Sequence, residues 1–215
     1  MIIFSLSGVL VETLQTSRAL YRDALVHFGL SLKDARFEEL YSSRDMCLLD
    51  RALVAAARKA DDLEFIIGFN RRRDQILKDT VRVHRYATRA FEWLSEAKAV
   101  VDWLPLKQVE VLLDASGLAG RFKLQRIISY SGENFEGGLI RAARSLDRPP
   151  ASTIVVESSA VAIARAAALG FKVIGIALLT TPNYDNHLNA FSRAGATLTV
   201  PDFRYVPLAV KQLSP

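Results

Sequence analysis

The sequence predicts an α/β fold, a Rossmann-like parallel sheet core interrupted by an all-helical insert. Three observations predict it. Short β-rich runs alternate with helical patterns through the second half of the chain. Those runs are almost continuously apolar, which suits strands covered on both faces. Between the opening strand and about residue 89 only helical patterns occur, so the insert interrupts the sheet after its first strand.

The opening MIIFSLSGVL reads as an apolar strand running through Ser5 and Ser7 into the turn glycine Gly8. A helical face of Leu14, Tyr21, Leu25 and Phe28 then closes at Gly29. A Leu- and Ala-rich stretch to Ala60 and the set Leu63, Ile66, Ile67, Ile76 and Leu77 extend the helical region. Five further strands are expected at 99–103, 126–130, 153–157, 173–177 and 197–200. Between them Val109, Leu112 and Leu113, then Leu139, Ile140, Ala143 and Leu146, then Ile163, Ala166, Ala167 and Leu169 recur at helical spacing, with Gly170 placed as a C-terminal cap. The change of rhythm divides the chain into a core of residues 1–13 plus 89–215 and a helical unit of residues 14–88.

Composition narrows the classes. The chain has 215 residues, half of them hydrophobic, enough for a substantial core and inconsistent with intrinsic disorder. A net charge of +5 is mildly basic and well short of a polybasic tail. The single cysteine, Cys47, can form no internal disulfide and has no metal-ligand spacing around it, so a reducing, cytoplasmic setting is expected. No apolar stretch approaches the roughly eighteen residues that a membrane span requires. Neither a dinucleotide nor a P-loop glycine pattern follows a strand, and no G-x-S-x-G elbow surrounds Ser5 or Ser7.

The stretch MIIFSLSGVLVETL resembles the opening of haloacid dehalogenase-like (HAD) hydrolases of the β-phosphoglucomutase-like group, an apolar strand followed by D-x-D-G-V-L-x-D/E-T. Gly8, Val9, Leu10, Glu12 and Thr13 match that pattern. Further on, VVESSAVAIARAAALGFKVIGI is similar to the group's V-V-E-D-S-x-x-G-I-x-A-A-x-A-A-G-M-x-V-I-G-V segment. The similarity extends over almost the whole chain and implies a HAD core with a helical cap at 14–88. It also implies an aspartate nucleophile, a second aspartate as acid and base, a Ser or Thr and a Lys for phosphate, and terminal acids that help hold Mg²⁺.

The residues depart from that set. Ser5 stands at the nucleophile position and Ser7 at the acid/base position, while Ser158 replaces the aspartate beside Glu157. The phosphate-binding Ser/Thr position falls on Asp102, the lysine on Glu133 and the proline after it on Asn134. An unactivated hydroxyl is a weak nucleophile and supplies no anionic oxygen for a hard cation. Phosphate would also meet carboxylates with no lysine to neutralise it, a like-charge contact costing at least about 1 kcal/mol.

The expectation is therefore a pseudoenzyme with no cofactor, Mg²⁺ being implied by the family but not expected here. It would bind a protein partner or small ligand, with a homodimer possible. The alternative is a HAD hydrolase, phosphatase-like or phosphomutase-like, with residual or altered activity. Other chemistry was open to the residues. His187 is the histidine expected nearest Ser5, with His27 and His84 read as surface or packing residues. Asp102, Glu133 and Glu157 could form a new carboxylate metal site if their strand ends converge. Arg71, Lys78, Arg82, Arg85 and Arg89 would share one face of an unbroken helix, giving a basic module for nucleic acid or an acidic partner, although no nucleic-acid motif accompanies it.

Overall fold

The computed structural model describes residues 1–12, 14–29, 46–131, 133–177 and 184–214. Six strands form one parallel sheet: β1 (Ile2–Ser5), β2 (Lys98–Asp102), β3 (Ile127–Ser129), β4 (Ile154–Glu157), β5 (Lys172–Ile176) and β6 (Leu198–Val200), in the order β3-β2-β1-β4-β5-β6. The first strand is central, pairing with β2 on one side (Ser5 opposite Val101) and β4 on the other (Phe4 opposite Val156). Ile2, Ile3, Phe4, Val155 and Val156 are fully buried, as a sheet covered on both faces requires.

Among the described residues, four helices follow β1 before the sheet resumes: α1 (Leu14–His27), α2 (Met46–Lys59), α3 (Leu63–Thr80) and α4 (Ala87–Trp93). Helices α5 (Leu106–Ala115), α6 (Phe135–Ser145), α7 (Ala160–Ala168), α8 (Tyr184–Arg193) and α9 (Val206–Leu213) alternate with or follow the later strands. Val109, Leu112, Leu113, Leu139, Ala143, Ile163 and Ala166 are buried, so the helical spacings in the second half do face the sheet. Gly170 adopts φ +83° just past α7, the left-handed conformation that a helix-ending glycine provides. Cys47 falls in α2, and its side chain lies outside the described residues.

Strand positions differ from expectation by small slips. Trp103 and Ala177 lie beyond β2 and β5, and Tyr130 lies beyond β3. The ladder stops at Asp102 because its side chain turns to accept the Leu104 N–H at 3.0 Å, which bends the chain away from the sheet. Trp103 is buried and meets the Tyr21 ring edge-on at 5.9 Å, joining α1 to the end of β2.

The basic run does not form one helical face. Helix α3 ends at Thr80, and Arg82 lies in an extended segment. Arg73 is buried, donating to the Tyr21 hydroxyl at 2.7 Å and to Asn70 Oδ1 at 2.8 Å. Tertiary packing claims the middle of the run and leaves its two ends on separate elements.

Two segments cross between the sheet and the helical region as an antiparallel pair. The Glu12 N–H donates to the Arg82 carbonyl at 2.8 Å, the His84 N–H to the Leu10 carbonyl at 2.9 Å, and Val11 bridges Val83. His84 is buried beside the Phe203 ring, with Nδ1 3.3 Å from Glu12 Oε1. Burial pushes its imidazole below the ordinary range, and Glu12 opposes that shift. The unfolded chain thus takes a proton at His84 more readily than the folded one. This contribution to stability is intact above about pH 6.5 and is lost as pH falls through the lower folded value. Urea unfolding between pH 7.5 and 5 is expected to show this acid-side loss, and His84→Gln to flatten it.

Gly138 on α6 packs directly against Tyr130. A Cβ there would lie 2.8 Å from Tyr130 Cδ1 and 2.9 Å from its Cβ. Gly138→Ala is expected to destabilise the fold by about 1–3 kcal/mol in chemical denaturation through this overpacking. Gly120→Ala, whose added Cβ meets nothing within 4 Å, should change stability far less.

Candidate functional site

In an open parallel sheet, functional groups gather outside the C-terminal strand ends, where the order of strands reverses about β1. Ser5 ends β1, Asp102 ends β2 and Glu157 ends β4, so the three central strands bring these side chains to one edge. Ser5 is 5% exposed, Asp102 2% and Glu157 0%. Buried carboxyl groups of this kind are tolerated only when hydrogen-bonded.

Glu157 meets that requirement through three donors. The Ser5 hydroxyl donates to Oε2 at 2.5 Å, and the N–H groups of Ser158 and Ser159 donate to Oε1 at 2.6 and 3.1 Å. Ser159 then caps α7, its hydroxyl accepting from the Ala162 N–H at 3.4 Å. Asp102 does the equivalent on the other side of β1. Its Oδ2 accepts the Ser7 N–H at 2.8 Å and its Oδ1 the Leu104 N–H at 3.0 Å. The Ser158 hydroxyl donates to the Gly8 carbonyl at 2.7 Å, tying the loop after β4 to the glycine turn after β1, where Gly8 has φ +78°. Ser7 Oγ is buried with no hydrogen-bond partner among the described residues.

The other sequence-derived candidates separate. Glu133, before α6, is exposed and lies 3.2 Å from Arg141 Nη2, which also donates to the Ser129 carbonyl at the end of β3. Arg141 reaches Glu133 from α6, a cation to which nothing in the local sequence pattern pointed. Asn134 serves as N-cap of α6, accepting the Gly137 N–H at 2.8 Å. Among the described residues no cluster of three or more His, Cys, Asp or Glu is arranged to hold a metal ion. Asp102, Glu133 and Glu157 are not brought together as such a cluster.

The histidine contacts are with other residues. His27 stacks on Phe65 at 4.0 Å and pairs with Asp62 at 3.2 Å, while His187 meets Phe191 edge-on within α8. The hydrogen bond of the Ser5 hydroxyl goes to Glu157.

The chain has the α/β fold of the haloacid dehalogenase-like hydrolases. Solved structures that superpose on it include a HAD family hydrolase from Deinococcus radiodurans with bound phosphate and sodium, 21% identical, with a TM-score of 0.68 over 99% of this chain and 95% of that one. A HAD hydrolase of family IA, variant 3, from Entamoeba histolytica is 17% identical, with a TM-score of 0.73 over 95% and 94% of the two chains. L-2-haloacid dehalogenase from Xanthobacter autotrophicus is 14% identical, with a TM-score of 0.62 over 98% and 97%. No protein-family model matches the sequence, and no curated protein matches it. Among the described residues no helix is long and apolar enough to cross a membrane.

The bonding around Glu157 has a measurable consequence. Ser5→Ala removes one hydrogen bond to a charged group and is expected to cost about 1.5–3 kcal/mol in urea unfolding. Glu157→Ala leaves two N–H groups and a hydroxyl without their acceptor and should cost more than Ser5→Ala. Equal losses would mean that the backbone donors contribute nothing.

Proposed function

We propose that this protein is a binding protein on a HAD fold, without aspartyl-phosphate chemistry, in which residues 14–88 act as a cap over the strand ends. The observation that carries this reading is the internal use of the strand-end carboxylates. Both oxygens of Glu157 and both of Asp102 accept hydrogen bonds from neighbouring serine or backbone donors. Serine hydroxyls stand where the resemblance implies an anionic nucleophile and its partner acid.

The same donor set does not suit the Mg²⁺ that the family implies. Magnesium favours near-octahedral oxygen coordination anchored by one or two carboxylates. Here the two adjacent carboxylates are committed, and Ser5, Ser7 and Ser158 contribute only neutral oxygens. Asp102 also occupies the Ser7 and Leu104 N–H groups with an anion of the protein's own, which leaves a phosphate oxygen to compete for them. The partner would be a protein or a small ligand, with a second copy of the chain among the possibilities, and the lone cysteine suits a reducing cytoplasm.

A hydrolase of altered mechanism is the second reading, and the structural neighbours favour it, the Deinococcus radiodurans hydrolase with its bound phosphate in particular. On that reading the Ser5 hydroxyl, hydrogen-bonded to Glu157, would be the group positioned to attack.

A phosphatase assay with an aryl phosphate and excess Mg²⁺ separates the two. The binding reading expects background turnover, the same for wild type and Ser5→Ala. Magnesium-dependent turnover abolished by Ser5→Ala would establish the hydrolase.

A further inference from the structure

An open cavity lies within the helical region, built by helices rather than strand ends. Helices α1 and α3 line a space of about 360 Å³, within the range of small-molecule sites, about 300–1,000 Å³. Leu20 and Ala24 from α1 and Phe69 from α3 are buried in its lining, and Phe65, stacked on His27, forms a further aromatic wall.

Gly68 opens this space. It sits in the interior of α3, where glycine is less favourable than alanine. A Cβ added there would meet nothing within 4 Å, and its backbone shows no left-handed φ, so neither packing nor conformation demands glycine. Its missing side chain leaves room between the helices.

Two charges of opposite sign line the same cavity. His27 is already paired with Asp62. Asp23 and Arg72 line the cavity too, and neither is engaged in an ion pair with a described residue. A neutral apolar ligand would engage neither of these exposed charges, and a simple anion would meet Arg72 but face Asp23 as a like charge. A zwitterion with an apolar body satisfies all three features together.

We propose that this cavity binds an α-amino acid with an apolar side chain, its ammonium on Asp23, its carboxylate on Arg72 and its side chain between Phe65, Phe69 and Leu20. The site is separate from the strand-end carboxylates, so either result of the phosphatase assay leaves it standing.

Calorimetry and thermal melting with L-phenylalanine and L-leucine test it, alongside 3-phenylpropionate, which lacks the ammonium, and phenethylamine, which lacks the carboxylate. Both amino acids are expected to bind and raise the melting temperature. Each single-charge analogue should bind about tenfold more weakly than L-phenylalanine, the loss of one charge-assisted contact. Asp23→Asn and Arg72→Gln should each weaken L-phenylalanine by a similar factor. Gly68→Leu should fill the cavity and abolish binding while circular dichroism and cooperative melting report a folded chain, and the two exposed charge substitutions decide the matter if it does not fold. Absence of both heat and melting shift for both amino acids would overturn the proposal, as would analogues that bind equally well, or affinity unchanged in the charge variants or in a folded Gly68→Leu.

Discussion

The hydrogen bond from the Ser5 hydroxyl to Glu157 is the constraint on which the strand-end architecture depends. It joins the tips of the two central strands β1 and β4 across 152 residues of sequence. A carboxyl group with no solvent contact is costly unless its oxygens are satisfied, and Glu157 takes donors from β1 and from the start of α7 at once. Asp102 repeats the device between β1 and β2. The loops after three adjacent strands are thereby stitched to one another by two side chains, with Ser158 adding a third link to the Gly8 carbonyl.

That stitching separates fold from chemistry. The solved structures that superpose on this chain share its architecture at 14–21% identity, which speaks to the path of the backbone and leaves the reacting groups to be judged residue by residue. A strand end that presents free carboxylates invites a cation and an electrophile. Here each oxygen of Glu157 and Asp102 already accepts a hydrogen bond from a neighbouring N–H or O–H group. Arg141, Glu133 and the Ser129 carbonyl make a further polar contact at the end of β3, on the far side of β2 from Ser5.

Much of this architecture was legible in the amino-acid order. The alternation of apolar runs with helical spacings located every strand of the sheet to within a residue or two, because a strand covered on both faces leaves an unbroken apolar signature. Gly170 marked a helix end through a left-handed conformation that glycine adopts more readily than other residues. The serine substitutions were legible too, since flanking residues such as Gly8 and Glu157 anchor their positions. Hidden from the sequence were the partners of Asp102, because they are backbone N–H groups whose direction depends on how the loops after β1 and β2 turn. Arg141 was hidden for a related reason: its contact with Glu133 depends on the angle at which α6 leaves the sheet. The basic run from Arg71 to Arg89 looked continuous because charge reveals nothing of burial, and Arg73 turns inward to Tyr21 and Asn70.

The central place of β1 in the sheet bears on how the chain is made. Its neighbours are β2, which begins at Lys98, and β4, which begins at Ile154, so β1 waits for about 150 further residues before both its edges are covered. During translation a largely apolar segment with open edges would emerge long before its second partner, a state prone to pairing with the wrong chain. The second edge of β1 therefore stays open to mispairing until residues near 154 arrive.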